Sequence, residues 1–342
     1  MFNALTDANA LIANYPFATI EPNTGMVPIP DRRLEKLAGI YKTDKIVPAT
    51  VQFVDIAGLV EGASQGEGLG NQFLSHIRSC AAICHVVRAF TDDNVTRAGS
   101  STPVKDIEII NTELVLADLQ TVDKRLPRLQ KEAKANPKLK TEYEALEYAK
   151  QILDSGQPLF ASHQLLANSS QLEQLQLLSA KPVIYMFNVD EKTLQGRALQ
   201  ENLRALVAPA KALFVCAKLE SELRGLDETD RQELLESYGQ KESGLVQLIH
   251  AAYDTLGLQS FLTAGEKEVR AWTIPKNATA PQAAGIIHTD FERGFIAAQV
   301  VKYEDLVKAG SLAGARAAGQ VRTEGKDYVM QPDDVVEFRF NV

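Results

Sequence analysis

The chain has little cysteine: Cys80, Cys84 and Cys216 are the three among 342 residues. That excludes a disulfide scaffold and fits a reducing, cytoplasmic compartment. Cys80 and Cys84 lie four apart, the spacing of one helical turn, but no second pair or ligand cluster accompanies them. They read as packed thiols rather than a metal site. No apolar run approaches the ~18 residues that span a membrane, and no basic stretch followed by an apolar core opens the chain. Neither a membrane span nor a secretory signal is therefore expected. Positive charge is not in excess either: the net charge of −8 argues against wholesale coating of nucleic acid. Repeats and low-complexity tracts are lacking. So is G-x-x-x-x-G-K-S/T, the loop whose backbone amides cradle nucleotide phosphates.

What is present is an ordinary globular composition, 45% hydrophobic and 23% charged, over a length that suggests two or three domains. Phe2 to about Ala13 has helical periodicity, and residues 14–30 are rich in Pro and Gly. Thr50–Asp55 reads as a buried strand that stops at a carboxylate. Gly58, Gly62, Gly66, Gly68 and Gly70 follow, a loop rather than a rigid element. A helix to about Ser79 and a strand from Ile83 to Val87 come next.

Residues 107–180 change character. Val115, Leu119, Val122, Leu126, Leu129 and Ala133 follow a 4-3-4-3-4 spacing, a coiled-coil seam. Asn136-Pro137 offers a turn, and Tyr143, Leu146, Ala149 and Leu153 begin a returning helix. Pro127 should kink the first helix or end it early. Between Lys124 and Lys140, seven basic residues face only Glu132, a local +6 in an acidic chain. These basic residues are expected at the tip of the hairpin. Strands resume at Val183–Phe187 and Leu213–Cys216, and residues 228–253 read as mostly helical. From about Thr263 the texture is short and β-rich, with Ala280–Ile287 as a helix between strands. The expected organisation is an α/β domain in two parts (1–106 and 181–262), a helical insertion (107–180) and a small α+β domain (263–342).

In doubly wound sheets ligands bind beyond the carboxyl ends of the strands. Asp55, Asn188 and Ala217 all fall at such ends. Asp55 and Gly58 form D-x-x-G, in which the carboxylate holds Mg²⁺ through water and the Gly amide senses a γ-phosphate. The alternative is an Asp that caps the following turn. Thr19 lies in an irregular segment where a threonine could bind Mg²⁺ when a triphosphate is present; otherwise it is a plain loop residue. Asn188 and Glu191 form N-x-x-E. GTP readers place Asp at the last position, since a carboxylate accepts from both guanine N1–H and the amino group. Cys216-Ala217-Lys218 would complete a base pocket with backbone amides.

Three groups of strings carry a resemblance that covers Phe2 to Val342: Asn14-Tyr15-Pro16-Phe17-Ala18-Thr19-Ile20-Glu21-Pro22-Asn23-Thr24-Gly25; Phe53-Val54-Asp55-Ile56-Ala57-Gly58-Leu59-Val60 with Gly66-Glu67-Gly68-Leu69-Gly70-Asn71; and, near the C-terminus, Lys267 to Thr273, His288 to Glu292 and Glu324 to Tyr328. The chain resembles the YchF/Obg-like ATPases. The resemblance implies a P-loop NTPase G domain, an inserted coiled-coil hairpin and a C-terminal TGS domain of ubiquitin-like β-grasp fold. It implies Mg²⁺-dependent ATP hydrolysis with ATP preferred over GTP, and association with ribosomes. Thr19 and Asp55 would serve the metal; Gly58, Asn188, Val189, Glu191, Cys216, Ala217 and Lys218 would serve the nucleotide. The basic stretch Lys124–Lys140 would face RNA, or else be a solvated coiled-coil end.

The sequence departs from the family pattern in its missing first strand and P-loop, and with them the phosphate-binding Lys and the Mg²⁺-binding Ser. Leu59 stands where Ras-like proteins carry a catalytic Gln. Arg97 stands where the family usually has a His tied to hydrolysis, and an arginine cannot shuttle protons near neutral pH. No catalytic residue is assigned. The match begins in register just after the loop, so the natural protein is expected to be an ATPase whose chain starts further upstream. The 342 residues alone are expected to bind nucleotide poorly. The alternative is a nucleotide-free binding module acting through the hairpin and the C-terminal domain. A GTPase is disfavoured by Glu191, Asp190 lying one residue too early.

Overall fold

The structure is a computed structural model that describes residues 2–6, 22–56, 69–90, 102–162 and 174–341. Its contacts gather the chain into two compact units, Met1–Gly25 with Phe53–Ala252, and Met26–Gln52 with Tyr253–Val342.

In the first unit, β4 (Ile83–Arg88), β5 (Val183–Asn188) and β6 (Lys211–Val215) form a parallel sheet in that order. The run Val-Ile-Tyr-Met-Phe has no alternation because β5 is central and buried on both faces, as parallel strands require. Tyr185, Phe187 and Phe214 pack there with Leu203, Val207, Leu219 and Leu235, and the Phe187 and Phe214 rings stack 5.4 Å apart. β4 differs: Val86 is 52% exposed, and no strand among the described residues pairs with its outer edge. β1 (Asn23–Pro28) and β3 (Thr50–Asp55) form a separate two-stranded sheet. α1 (Phe2–Thr6) is the described part of the expected N-terminal helix.

α3 (Leu69–Ser79) packs through Phe73, Leu74 and Ile77 on Leu114, Ala117 and Leu178. Cys80 follows α3 and Cys84 lies in β4, so the two thiols do not share a helix. Burial pushes the Cys84 thiol up to about 12, which keeps it protonated and inert. Among the described residues no group of three or more His, Cys, Asp or Glu is placed to hold a metal.

α4 (Pro103–Ala135) and α5 (Lys140–Asp154) form the hairpin. Thr102 caps α4 by accepting from Lys105 N, and Pro103 sits in the first turn, where its missing N–H is harmless. The seam holds: Val115, Val122 and Leu129 are buried against Leu146, Ala149 and Leu153, with Leu119 and Leu126 alongside. α4 begins before residue 107 and runs on through Pro127, so the proline does not end it. Asp123, whose carbonyl loses its helical donor, lies on the exposed side, where water can take over. Asn136 turns the chain as expected. Lys124, Arg125 and Arg128 are not at the tip but about two to three turns short of the end of α4. Buried Asp118 ties α4 to the chain before β5, accepting from Leu178 N (2.8 Å), Ser179 N (2.7 Å) and Ser179 Oγ (2.7 Å).

The second unit is a six-stranded sheet in the order β10 (Arg322–Glu324), β9 (Phe295–Lys302), β11 (Asp334–Phe340), β7 (Leu258–Ala264), β8 (Val269–Pro275), β2 (Ile46–Val47). β7–β8, β9–β10 and β9–β11 are antiparallel; β7–β11 and β2–β8 are parallel. Helix Ala280–Ile287, entered through a Thr279/Gln282 capping box, buries Ala280, Ala283 and Ala284 against Phe261, Ile274, Phe295 and Val300. This is the expected α+β sheet with its helix. It begins earlier than residue 263, however, and it takes in residues 26–52, which the sequence-drawn boundaries place with the first domain.

α2 (Arg32–Tyr41) explains that inclusion. Asp31 caps it, and Leu34, Leu37 and Ala38 are its buried face, a pattern visible in the sequence at i, i+3 and i+4. Arg33 bonds Asp31 and also Pro332 O (2.7 Å) and Asp333 Oδ1 (3.0 Å). Val269 N donates to Lys45 O at 2.9 Å, and Lys45 pairs with Glu268 at 2.7 Å.

His85 of β4 lies against Tyr185, ring centroids 5.3 Å apart, and burial holds its imidazole down, from 6.5 to about 4, with Asp106 opposing. Between those values the unfolded chain takes up a proton that the folded chain refuses. Stability should therefore fall as pH drops from about 6.5 towards 4, by up to about 3 kcal/mol. Urea unfolding across this range should show the loss, and His85→Gln should flatten it; equal pH slopes in both proteins would refute the assignment.

Candidate nucleotide site

The end of the parallel sheet is fixed by backbone bonds. Asn188 pairs with Val215 in register, Val189 N donates to Val215 O at 2.9 Å, and Ala89 N donates to Asn188 O at 2.8 Å. β4, β5 and β6 therefore finish together, and the chain that follows each leaves from one edge. There Asn188 Oδ1 accepts from Ala217 N at 3.2 Å, joining the N-x-x-E stretch to Cys216-Ala217-Lys218. Cys216, 3% exposed, is the cap residue of helix Ala217–Glu222. Val189, inside the N-x-x-E stretch, is buried in the same core as Cys216.

Two charges close the arrangement. Lys218 Nζ meets Glu191 Oε1 at 2.7 Å, and Glu191 raises the Lys218 pKa. Asp190 is otherwise engaged: it caps helix Glu191–Gln195, its Oδ1 accepting from Thr193 N at 2.7 Å, and that bond holds its carboxyl below the usual range. A register shift that used Asp190 to read a base would uncap this helix. The structure thus brings together Asn188, Val189, Glu191, Cys216, Ala217 and Lys218.

Asp55 ends β3 with its carboxylate exposed and no partner among the described residues. An exposed carboxylate of this kind is compatible with Mg²⁺, which keeps most of its waters and takes one or two carboxylates alongside substrate phosphates. Thr19, Gly58, Leu59 and Arg97 lie outside the described residues.

Sequence reasoning missed the support beneath the site. Glu220, on the buried face of helix Ala217–Glu222, accepts from Gly244 N at 2.6 Å; burial pushes its carboxyl up while bonds from Gly244, Ser243 and Leu245 pull it down. Gly244 is needed because a Cβ there would lie 2.7 Å from Val215 Cγ2. The motif Glu-Ser-Gly-Leu gives no local sign of this, since its partner is 24 residues away.

Parallel strands ending at a shared edge with N-x-x-E and Cys-Ala-Lys, an inserted hairpin and an α+β C-terminal unit define a GTPase-type nucleotide-hydrolase architecture. Comparison with known proteins agrees. A family model described as 50S ribosome-binding GTPase matches residues 1–113. The YchF-GTPase C-terminal model, described as a protein of unknown function (DUF933), matches residues 258–341. The Ribosome-binding ATPase YchF of Bacillus subtilis (strain 168) is 51% identical over 349 residues, covering 100% of this chain and 95% of the relative. Its namesake from Escherichia coli O157:H7 is 48% identical over 346 residues, with the same coverage. The solved structure of the Schizosaccharomyces pombe YchF GTPase matches with a TM-score of 0.81 and 36% identity, over 99% of this chain and 93% of that one. The chain belongs to the YchF family.

Replacing Gly244 by alanine should force Val215 away and weaken the Glu220 bond, lowering stability by about 1–3 kcal/mol. Denaturant unfolding measures this; an unchanged midpoint would mean that the helix start relaxes freely.

Proposed function

We propose that the protein is a cytoplasmic, ribosome-associated nucleoside-triphosphate hydrolase that takes ATP in preference to GTP with Mg²⁺. Thr19 and Asp55 serve the metal. Gly58 senses the γ-phosphate, and Asn188, Val189, Glu191, Cys216, Ala217 and Lys218 form the base pocket. The relatives' names, which describe ribosome-binding ATPases, support the ribosome and ATP; the absence among described residues of a helix long and apolar enough to cross a membrane is compatible with this.

The single observation that carries the base preference is the Asn188 Oδ1–Ala217 N bond. With that amide engaged, no Ala217 N–H is left for the O6 acceptor of guanine. Adenine carries an amino group at that position and needs none. Glu191 acts in the same direction, since its carboxylate is held by Lys218 rather than presented to guanine N1–H and its amino group.

The 342 residues hold ATP weakly on this reading, because no G-x-x-x-x-G-K-S/T loop is present and, among the described residues, no strand pairs with the outer edge of β4. Fluorescence titration with methylanthraniloyl-ATP and -GTP in Mg²⁺ tests it. ATP should bind at least about tenfold better than GTP, a difference of about 1.4 kcal/mol, and neither at micromolar level. Glu191→Asp should narrow the gap. Equal affinities would overturn the base assignment, and a micromolar Kd for ATP the weak-binding claim. The second reading, a nucleotide-free ribosome- or RNA-binding module, draws on the same missing loop. It requires co-sedimentation with ribosomes that is indifferent to ATP, whereas the first requires ATP to alter it.

A further inference from the structure

Residues 175–181, the chain that leads from the hairpin into β5, belong to two cores at once. Leu177 is buried in the hairpin seam with Val115, Val122 and Leu159. Its neighbour Leu178, 0% exposed, is buried in a different cluster, with Phe73, Leu74 and Ile77 of α3 and Leu114 and Ala117 of α4. Apolar contact is non-directional, so these two side chains alone would let α3 slide on the hairpin. Directional bonds are what fix it.

Those bonds run from both sides. α3 reaches out: Arg78 Nη1 donates to Leu175 O at 3.1 Å and to Gln176 O at 3.3 Å. The segment reaches back: Lys181 Nζ donates to Arg78 O at 3.0 Å and to Cys80 O, at the C-terminal end of α3, where unpaired carbonyls favour a cation. On the α4 side, Asp118, 0% exposed, accepts from Leu178 N, Ser179 N and Ser179 Oγ. Burial pushes its carboxyl up, while those bonds and the charge of Arg78 pull it back. Ser179 O in turn accepts from Phe160 N at 2.7 Å, so the chain beyond α5 is held as well. Gln176 sits at φ 47°, in the left-handed region that a residue with a Cβ seldom adopts. Such strain persists only where the surroundings over-determine it, and Arg78 grips that residue's carbonyl.

We propose that residues 175–181 are a two-sided clasp that makes α3 and the base of the hairpin one moving part. A displacement of α3 is delivered through Arg78 and Lys181 to Leu178 and Ser179, and through their bonds to Asp118 into α4. α3 is the first described helix after Asp55. What displaces it rests on the hydrolase reading, in which Asp55 and Gly58 engage Mg²⁺ and phosphate. The clasp itself does not rest on that reading. Coupling is reciprocal, so whatever holds the hairpin biases α3, and with it the metal end of the site, by the same factor. A partner on the hairpin thus has a route to the nucleotide that does not pass through the base-reading edge at Asn188 and Ala217.

Continuity in space is not yet coupling, so the test loosens one end and reads the other, in the whole 342-residue chain without nucleotide. Gln72→Gly with Ser75→Gly, at exposed positions of α3, should speed hydrogen exchange within α3 about fivefold through lost helix propensity. Mass spectrometry of peptides spanning 69–79, 111–121 and 174–182 reads the response. With the clasp intact, the two distant peptides should speed up by a similar factor, while 183–188 of β5 should not follow. In a background of Arg78→Met with Lys181→Met, α3 should still respond, but the distant peptides should change by less than about twofold. Circular dichroism with thermal melting confirms folding, and Lys181→Met alone serves if the double variant melts early. Distant peptides indifferent to α3 in the intact chain overturn the proposal. So do peptides that follow equally once the clasp is cut, since packing then carries the link. These outcomes involve neither ATP nor ribosomes and bear on the clasp alone. Ribosome co-sedimentation that ignores ATP strikes the functional reading and leaves the clasp standing.

Discussion

The detour of residues 26–52 constrains more of this structure than any other feature. Thr19 and Asp55, the two residues assigned to the metal, lie at the two ends of a segment that folds as part of the C-terminal unit. β2 supplies that unit's sixth strand, and α2 is fixed by Arg33 to Asp31, Asp333 and Pro332 O. Two residues of β2 would not form a strand alone. They do so because β8 already presents an edge and the Lys45–Glu268 pair stands beside it. Parallel pairing of such a short strand is weak per residue, so its register must come from α2, whose buried Leu34 and Leu37 set where the following chain can go.

The α/β unit is organised around β5. Its run of buried residues lets Tyr185 and Phe187 reach the same core as Leu203, Val207 and Phe214 from the neighbouring elements. The opposite case is β4, where Val86 is exposed to 52% in a strand that reads as equally hydrophobic. A half-buried parallel strand is unusual, since both faces and both edges are normally covered. The β1–β3 pair stands as its own sheet.

Legibility in the sequence followed the range of the interaction. Thr50–Asp55, Val183–Asn188 and Ala280–Ile287 were readable because local periodicity and their terminating residues suffice. The hairpin seam was readable for the same reason, Val122 and Leu129 recurring on one face. Pro127 does not end α4, because a proline's cost depends on whether water can reach the orphaned carbonyl, which spacing does not encode. Membership of 26–52 in the C-terminal unit was invisible, because pairing of Ile46 with Val269 spans more than half the chain. The basic stretch was legible as charge but not as a place: seven cations in 17 positions look like a tip until α4 is seen to bring three of them beside Arg78. At the base pocket the residue types and spacing were legible; the bond from Ala217 N to Asn188 was not, since it depends on how β5 and β6 stagger.

The stagger also decides which parts of the pocket are rigid. Its shape is held by bonds in or beside the core: Val189 N to Val215 O, Ala217 N to Asn188, and Gly244 N to Glu220. Each of these would leave a desolvated donor or acceptor if broken, so they persist whether or not a base is bound. The Glu191–Lys218 pair is of another kind, with side chains 36% and 67% exposed. An ion pair that open to water adds little to stability, and water replaces either partner readily. The backbone bonds at the strand ends are thus the fixed part of this edge, and the ion pair beside them is the part that water can exchange.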